Sequence, residues 1–383
     1  MFAIVDANTF YASCHRAFDL SLRNKPVVVL SNNDGCVIAL TKEARALGIK
    51  MGVPAYQIEE QIEKDGIRAF SSNYVLYGDM SNRIMAMLST FVENGEIYSI
   101  DEAFLDMSGY ERYGLTDYGR QIVNSISKGI GIPVSMGIAP TKTLAKLANR
   151  FTKKYPAYEG VCAIDTEEKR IRALKLTQIG DVWGIGRRLA NKLEKEGIVT
   201  AYDLTQMPRS WVRKYMTVTG ERTWKELHGE PCIDLEIVST ERKQICTSRC
   251  FGVYQTKLQG LEEAVSNFAS LCAQKLRKQK SSAVSLLVFI HTNNFRQDIP
   301  QYAPTYHITF PVPTNSQMEI IKYALLALRK IYKEGYRYKK AGVIITETIP
   351  DNAIQTNLFD PVKNREKQEK VMKLLDKYNS GFD

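Results

Sequence analysis

Apolar and polar positions alternate in short bursts over the first 165 residues and follow a helical period through much of the remainder. Phe2-Ala3-Ile4-Val5 is a brief apolar run ending on Asp6, and it predicts a first strand. A helix-like pattern starts near residue 9. Val27-Val28-Val29-Leu30 predicts a buried strand and Cys36-Val37-Ile38-Ala39 another, with the turn residues Asn32-Asn33-Asp34-Gly35 between them, as in a β-hairpin. Thr41 through Leu47 reads as a helix stopped by Gly48. The pattern then predicts a helix from about Tyr77 to Phe91, strands near 96–100 and 103–107, a helix over 116–129, a strand over 133–139, and a helix over 141–151 capped by Thr141. Residues 166–232 read as all-helical, and 233–243, polar and without period, as a linker. Strands at 246–253, 284–291, 305–310 and 340–347 alternate with helices at 260–278 and 315–333, an α+β arrangement in two layers.

Length and composition narrow this picture. A chain of 383 residues implies two to four domains, and its 44% hydrophobic content suffices for a sizeable core. No apolar stretch approaches the roughly 20 residues of a membrane helix. The N-terminal run is too short and uncharged for a signal peptide. Seven scattered cysteines, with no Cys-x-x-Cys pair and no clustered histidines, argue for a reducing cytoplasm and against structural zinc. The net charge is +10, and residues 241–349, with 16 Lys/Arg against 7 Asp/Glu, carry nearly all of the excess. A basic segment of that kind suits a polyanionic partner.

The candidate chemistry lies in the acids. Asp101 and Glu102 are adjacent, with Ile97-Tyr98-Ser99-Ile100 before them and Ala103-Phe104-Leu105 after. Unpaired carboxylates are costly to bury, so such a pair needs a reason. Neighbouring side chains of a regular strand point to opposite faces, which places this pair at a hairpin tip. Brought together with Asp6, the two form a pocket of hard oxygens of the kind Mg²⁺ prefers, and suggest phosphoryl or nucleotidyl transfer by two metal ions. Gly184-Ile185-Gly186 followed by Arg187-Arg188 suits a phosphate held by outward N–H groups.

Ser99-Ile100-Asp101-Glu102-Ala103-Phe104 resembles the signature of the Y-family DNA polymerases, which copy damaged templates. Met1–Tyr11 is similar to their first strand and turn. Pro26–Ala39, Ser71-Ser72-Asn73-Tyr74 and Asp181–Arg188 resemble the UmuC branch, the catalytic subunits of bacterial DNA polymerase V. The likeness runs from residue 1 to about 375. It implies an α+β right-hand polymerase: a palm with fingers inserted (1–165, fingers about 20–75), a helical thumb with a helix-hairpin-helix (166–232), a linker (233–243), a DNA-binding little finger (244–349) and a tail (350–383).

The resemblance also implies roles. Asp6, Asp101 and Glu102 are the catalytic acids, holding two Mg²⁺ ions with the Ala7 carbonyl. Tyr11 matches the steric gate against ribonucleotides, Phe10 packs near the triphosphate, and Arg45 and Lys153 bind it, with Lys154 a one-residue alternative. Lys42 stands where many relatives carry Tyr. Cys36 and Ile38 roof the nascent base pair. Gly184, Gly186 and Arg187 hold a DNA phosphate. Gln355-Thr356-Asn357-Leu358-Phe359 resembles a sliding-clamp motif, through Gln355, Leu358 and Phe359. The implied substrates are dNTPs and primer-template DNA, and the implied setting is error-prone translesion synthesis in the SOS response, in the bacterial cytoplasm at the nucleoid. UmuD-type and RecA-type proteins are expected partners. Those relatives continue past the helix expected near Val371-Met372-Lys373-Leu374-Leu375, whereas this chain stops at Asp383, as a shorter homologue or a fragment would. Two other readings stay open: a nucleotide cyclase on a related palm, and a non-catalytic DNA-binding scaffold.

Overall fold

The computed structural model of the chain describes residues 1–237, 241–355, 357, 362 and 364–379. It divides into two units, Met1–Ser239 and Thr240–Asp383. The strands of the first are β1 (Phe2–Ala7), β2 (Val27–Leu30), β3 (Val37–Leu40), β4 (Arg68–Ser71), β5 (Gly95–Ile97), β6 (Glu102–Asp106), β7 (Val134–Ala139) and β8 (Val161–Ala163). Its helices are α1 (Phe10–Phe18), α2 (Lys42–Ala46), α3 (Glu59–Lys64), α4 (Tyr74–Leu88), α5 (Leu115–Ile130), α6 (Lys142–Lys154), α7 (Glu167–Lys175), α8 (Arg187–Lys195), α9 (Ala201–Thr205) and α10 (Arg209–Leu227).

The central sheet has the order β5-β6-β1-β7-β8, antiparallel except for β7 with β8. Alternation along β1 divides its side chains between two cores. Ala3, Val5 and Ala7 face one core with Ile84 and Ile122 of α4 and α5, while Ile4 faces the other with Leu144 and Ala148 of α6. Asp6 therefore points to the α6 side. Glu102 is its cross-strand partner and shares that side with Phe104. Helix α6 can lie this close because β7 has Gly137 beneath it, where a Cβ would come within 2.2 Å of the Ala145 carbonyl oxygen and the Asn149 nitrogen.

The hairpin expected at 27–39 is present as β2 paired with β3, and β4 adds to β2 in parallel to complete a small sheet. Helix α4 starts at Tyr74 instead of Tyr77, because Asn73 Oδ1 accepts the Leu76 N–H at 3.0 Å and caps it there. Residues 166–232 are helical as read, and they share the core of α6.

Part of the expected linker is fastened. Glu226, fully buried, accepts the N–H groups of Thr143, Cys232 and Ile233 at 2.9, 2.8 and 3.2 Å. Lys142 donates to the Asp234 carbonyl at 2.7 Å, and Glu96 accepts the Glu236 N–H at 3.0 Å. These are polar contacts, which leave no hydrophobic period in the sequence.

The second unit contains β9 (Ile245–Gln255), α11 (Leu258–Lys278), β10 (Ser281–His291), β11 (Thr305–Thr314), α12 (Gln317–Ile331), β12 (Tyr338–Pro350) and α13 (Arg365–Asn379). Its antiparallel sheet, in the order β11-β10-β12-β9, packs with α11 and α12 around one core. The tail contains α13, covering the helix expected near Val371–Leu375, and it is held by Arg277 to Asp376 at 2.6 and 2.7 Å and by buried Met372. No helix among the described residues is long and apolar enough to cross a membrane.

Candidate active site

The end of β1, the first turn of α1 and the β5–β6 turn meet at a cavity of about 590 Å³. Its walls bring together Asp6, Ala7, Phe10, Tyr11, Ile38, Arg45, Asp101 and Lys153. Lys42 and Met51 line it as well. Cys36 and Glu102 are not among the lining residues. Cys36 bridges to Pro54, and Glu102 opens β6 beside Asp6. Lys154 is elsewhere, over the Tyr155 ring at 5.4 Å, so of these two neighbours it is Lys153 that lines the cavity.

The acidic tip is built by Ser99. Its hydroxyl donates to Asp101 Oδ1 at 2.6 Å and accepts the N–H groups of Asp101 and Glu102 at 3.2 and 3.0 Å. The Ala7 N–H donates to the Asp101 carbonyl at 2.8 Å, which fastens the tip to β1. Asp101 thus sits in the turn and Glu102 is the first residue of the strand.

Each of the two cross-strand acids carries a lysine from α6. Lys153 Nζ is 2.6 Å from Asp6 Oδ1. Lys146 Nζ is 2.9 and 3.1 Å from the Glu102 oxygens, and it lies over the faces of Tyr98, Trp183 and Phe104. A third lysine of the helix, the buried Lys142, pairs with Glu96 of β5. Positions 142, 146 and 153 share one helical face, and their acids lie on the adjacent strands β5, β6 and β1.

Burial pushes the Asp6 carboxyl up to about 6 from its ordinary 3.8. Lys153 pulls it down, while Glu102 and Asp101 push it further up. Among the described residues, no three Asp, Glu, His or Cys side chains close on one metal-sized point. The expected pocket of three carboxylates is therefore not closed as the side chains stand. Lys153, Ser99 and Lys146 each hold one acid. The donor chemistry still fits a hard divalent cation, since these are oxygen donors whose mutual repulsion already reaches Asp6.

The sequence reading missed Lys142, Lys146 and the bracing role of Ser99. The available signal was a pair of lysines four residues apart on the apolar face of a helix, where an unpaired cation does not belong.

Gly184 has φ +90°, and a Cβ there would come within 3.2 Å of Thr223 Oγ1. Gly186 precedes α8, whose first residue is the exposed Arg187. Gln355 is exposed, and Leu358 and Phe359 lie outside the described residues.

The structure is similar to a chimera of the Y-family DNA polymerases Dbh and Dpo4, with a TM-score of 0.75 and 21% identity, covering 91% of this chain and all of that one. Its fold is the right-hand fold of the Y-family DNA polymerases. The impB/mucB/samB family profile matches residues 5–150, and the profile of that family's C-terminal domain matches 242–358. ImpB of Salmonella typhimurium is 43% identical over all of this chain and 91% of its own length. UmuC of the same species is 42% identical over 99% of this chain and 90% of its own. The chain belongs to the impB/mucB/samB family.

Proposed function

We propose that the chain is a template-directed translesion DNA polymerase that adds dNMP units to a primer 3′-hydroxyl. The observation that carries the reading is the composition of one cavity, whose lining brings together the acids Asp6 and Asp101, the cations Arg45 and Lys153, and the less polar side chains Tyr11 and Ile38. A deoxynucleoside triphosphate needs these three kinds of surface at once.

Asp6, Asp101 and Glu102, with the Ala7 carbonyl, would hold two Mg²⁺ ions, which supply charge neutralisation at the triphosphate and a more acidic primer hydroxyl. Arg45 offers a planar fork to phosphate oxygens. Lys153 leaves Asp6 and joins it there, and Phe10 packs beside them. Tyr11 lies under the sugar and clashes with a 2′-hydroxyl. Ile38 and Cys36 roof the nascent base pair. Together these residues orient the primer oxygen for in-line attack at the α-phosphorus, so their work is positioning and charge stabilisation.

In this reading, residues 1–165 are palm with fingers at about 20–75, 166–232 thumb, 233–243 linker, 244–349 little finger and 350–383 tail. Gly184, Gly186 and Arg187 grip a backbone phosphate, and the basic stretch 241–349 binds the duplex. Gln355–Phe359 docks on the sliding clamp and raises the local concentration of enzyme at the primer end. UmuD-type and RecA-type proteins join it in the SOS response, in the cytoplasm at the nucleoid.

Primer extension across an abasic site, with Mg²⁺, four dNTPs and clamp, tests the reading. Wild type should pass the lesion and Asp101→Ala should not. The double variant Leu358→Ala, Phe359→Ala should lose only the stimulation by clamp. Failure of wild type to extend even with UmuD-type and RecA-type proteins present, while it still binds primer-template, would leave a non-catalytic scaffold.

A further inference from the structure

The ring assigned to sugar exclusion does not stand alone. Tyr11 is stacked on Tyr77, with centroids 4.3 Å apart and planes 19° from parallel. Tyr77 belongs to α4 and is fully buried. Tyr74 meets both rings edge-on, at 6.0 and 5.9 Å, and Phe10 meets Tyr77 at 6.4 Å. The Tyr77 hydroxyl is hydrogen-bonded to His15 Nε2 at 2.9 Å, and the His15 ring is stacked on Phe70 at 4.2 Å and 17°. Phe70 lies on β4 of the small sheet. A continuous column, Tyr11–Tyr77–His15–Phe70, thus runs from the cavity wall to that sheet. Of its members only Tyr11 lines the cavity.

A gate that works by clash is only as selective as it is stiff. A tyrosine held by its own two torsions tilts away from an added hydroxyl at small cost. A ring packed face-on against a buried neighbour loses contact across its whole face if it tilts. Tyr77 cannot follow such a tilt, because Phe10 and Tyr74 stand against its edge and its hydroxyl is tied to His15. Burial lowers the His15 pKa, so the imidazole meets that hydroxyl as a neutral ring with no charge to desolvate.

We propose that Tyr77 and His15 are positioning residues for sugar selection: the buried Tyr77–His15 pair fixes the height and stiffness of the Tyr11 ring, and with it the preference for deoxynucleotides, without touching the nucleotide. The inference rests on the reading of Tyr11 as the gate.

The test measures kcat/KM for a dNTP and its matching rNTP on one primer-template, using the full chain. Tyr11→Ala is the reference and should remove most of the discrimination. Tyr77→Leu, which deletes the stack, should raise relative ribonucleotide use about tenfold, with the KM for dNTP moving much less. Tyr77→Phe, which keeps the ring and loses only the tie, should raise it about two- to threefold, and His15→Leu should match it. That graded ratio, rescued in part by the conservative variant, is not what a general loss of stability produces. An unchanged ratio in both Tyr77→Phe and His15→Leu, alongside a collapsed ratio in Tyr11→Ala, would overturn the inference even if Tyr77→Leu failed to fold. An unchanged ratio in Tyr11→Ala would overturn the gate reading itself, and the inference with it.

Discussion

Lys153 Nζ stands 2.6 Å from Asp6 Oδ1, so the group assigned to the triphosphate neutralises a carboxylate assigned to the metal ions. On the proposed reading one cation would serve two anions in turn. Lys153→Met should raise the KM for dNTP about tenfold or more. It should also bind Mn²⁺ a few-fold more tightly in the absence of nucleotide, because the competing ammonium is gone. Steady-state kinetics and a metal titration of the free protein measure the two effects separately.

Asp6 provides a pH-dependent stability in the metal-free protein. Its carboxyl is pushed up to about 6 from 3.8 by burial. A raised acid supports the fold fully only while protonated, so its contribution is intact below about pH 4 and is lost as pH rises through 6. The resulting penalty at pH 8 is on the order of 2–3 kcal/mol. Asp6→Asn should therefore be more stable than wild type at pH 8 in EDTA, with about half of the gain gone by pH 5. Urea unfolding at the two pH values checks it, and the same variant should not extend primers.

Glu226 is a purely structural counterpart. It accepts three backbone N–H groups while fully buried. Glu226→Ala leaves those donors without a partner and should cost about 3–5 kcal/mol. Limited proteolysis should then cut near 232–236, which wild type protects.

Ile38 lies in the cavity wall on β3. If it limits the space above the nascent pair, Ile38→Ala should extend past bulky adducts more readily than wild type, by about tenfold, with little change on undamaged template. Equal bypass by the two proteins would remove Ile38 from that role.

Much of this was legible in the sequence. Strand β1, the turn before β6 and helix α6 could be read because an apolar run, an acidic break and the Thr141 cap mark them locally. Strand β4 could not, since Arg68–Ser71 is largely exposed and shows no apolar alternation. The helix near Val371–Leu375 could be read, but its anchoring could not, because the ion pair from Asp376 reaches Arg277, 99 positions away. Asp6, Asp101 and Lys153 could be named from motif likeness. The matching of Lys142, Lys146 and Lys153 to Glu96, Glu102 and Asp6 could not, because it joins residues 44 to 147 positions apart and depends on how close Gly137 lets the helix come.

That matching bears on how the protein can be kept. Asp6 and Glu102 receive their counter-charges from a helix of the same chain, and Asp101 is held by Ser99, so none of the three acids depends on a bound ion to be held in place. Chelators should silence such an enzyme without melting it, and a stock purified and frozen in EDTA should recover its full capacity on dilution into magnesium buffer. On the proposed reading the ions would arrive with the nucleotide and leave with the product, and their withdrawal should leave the scaffold standing.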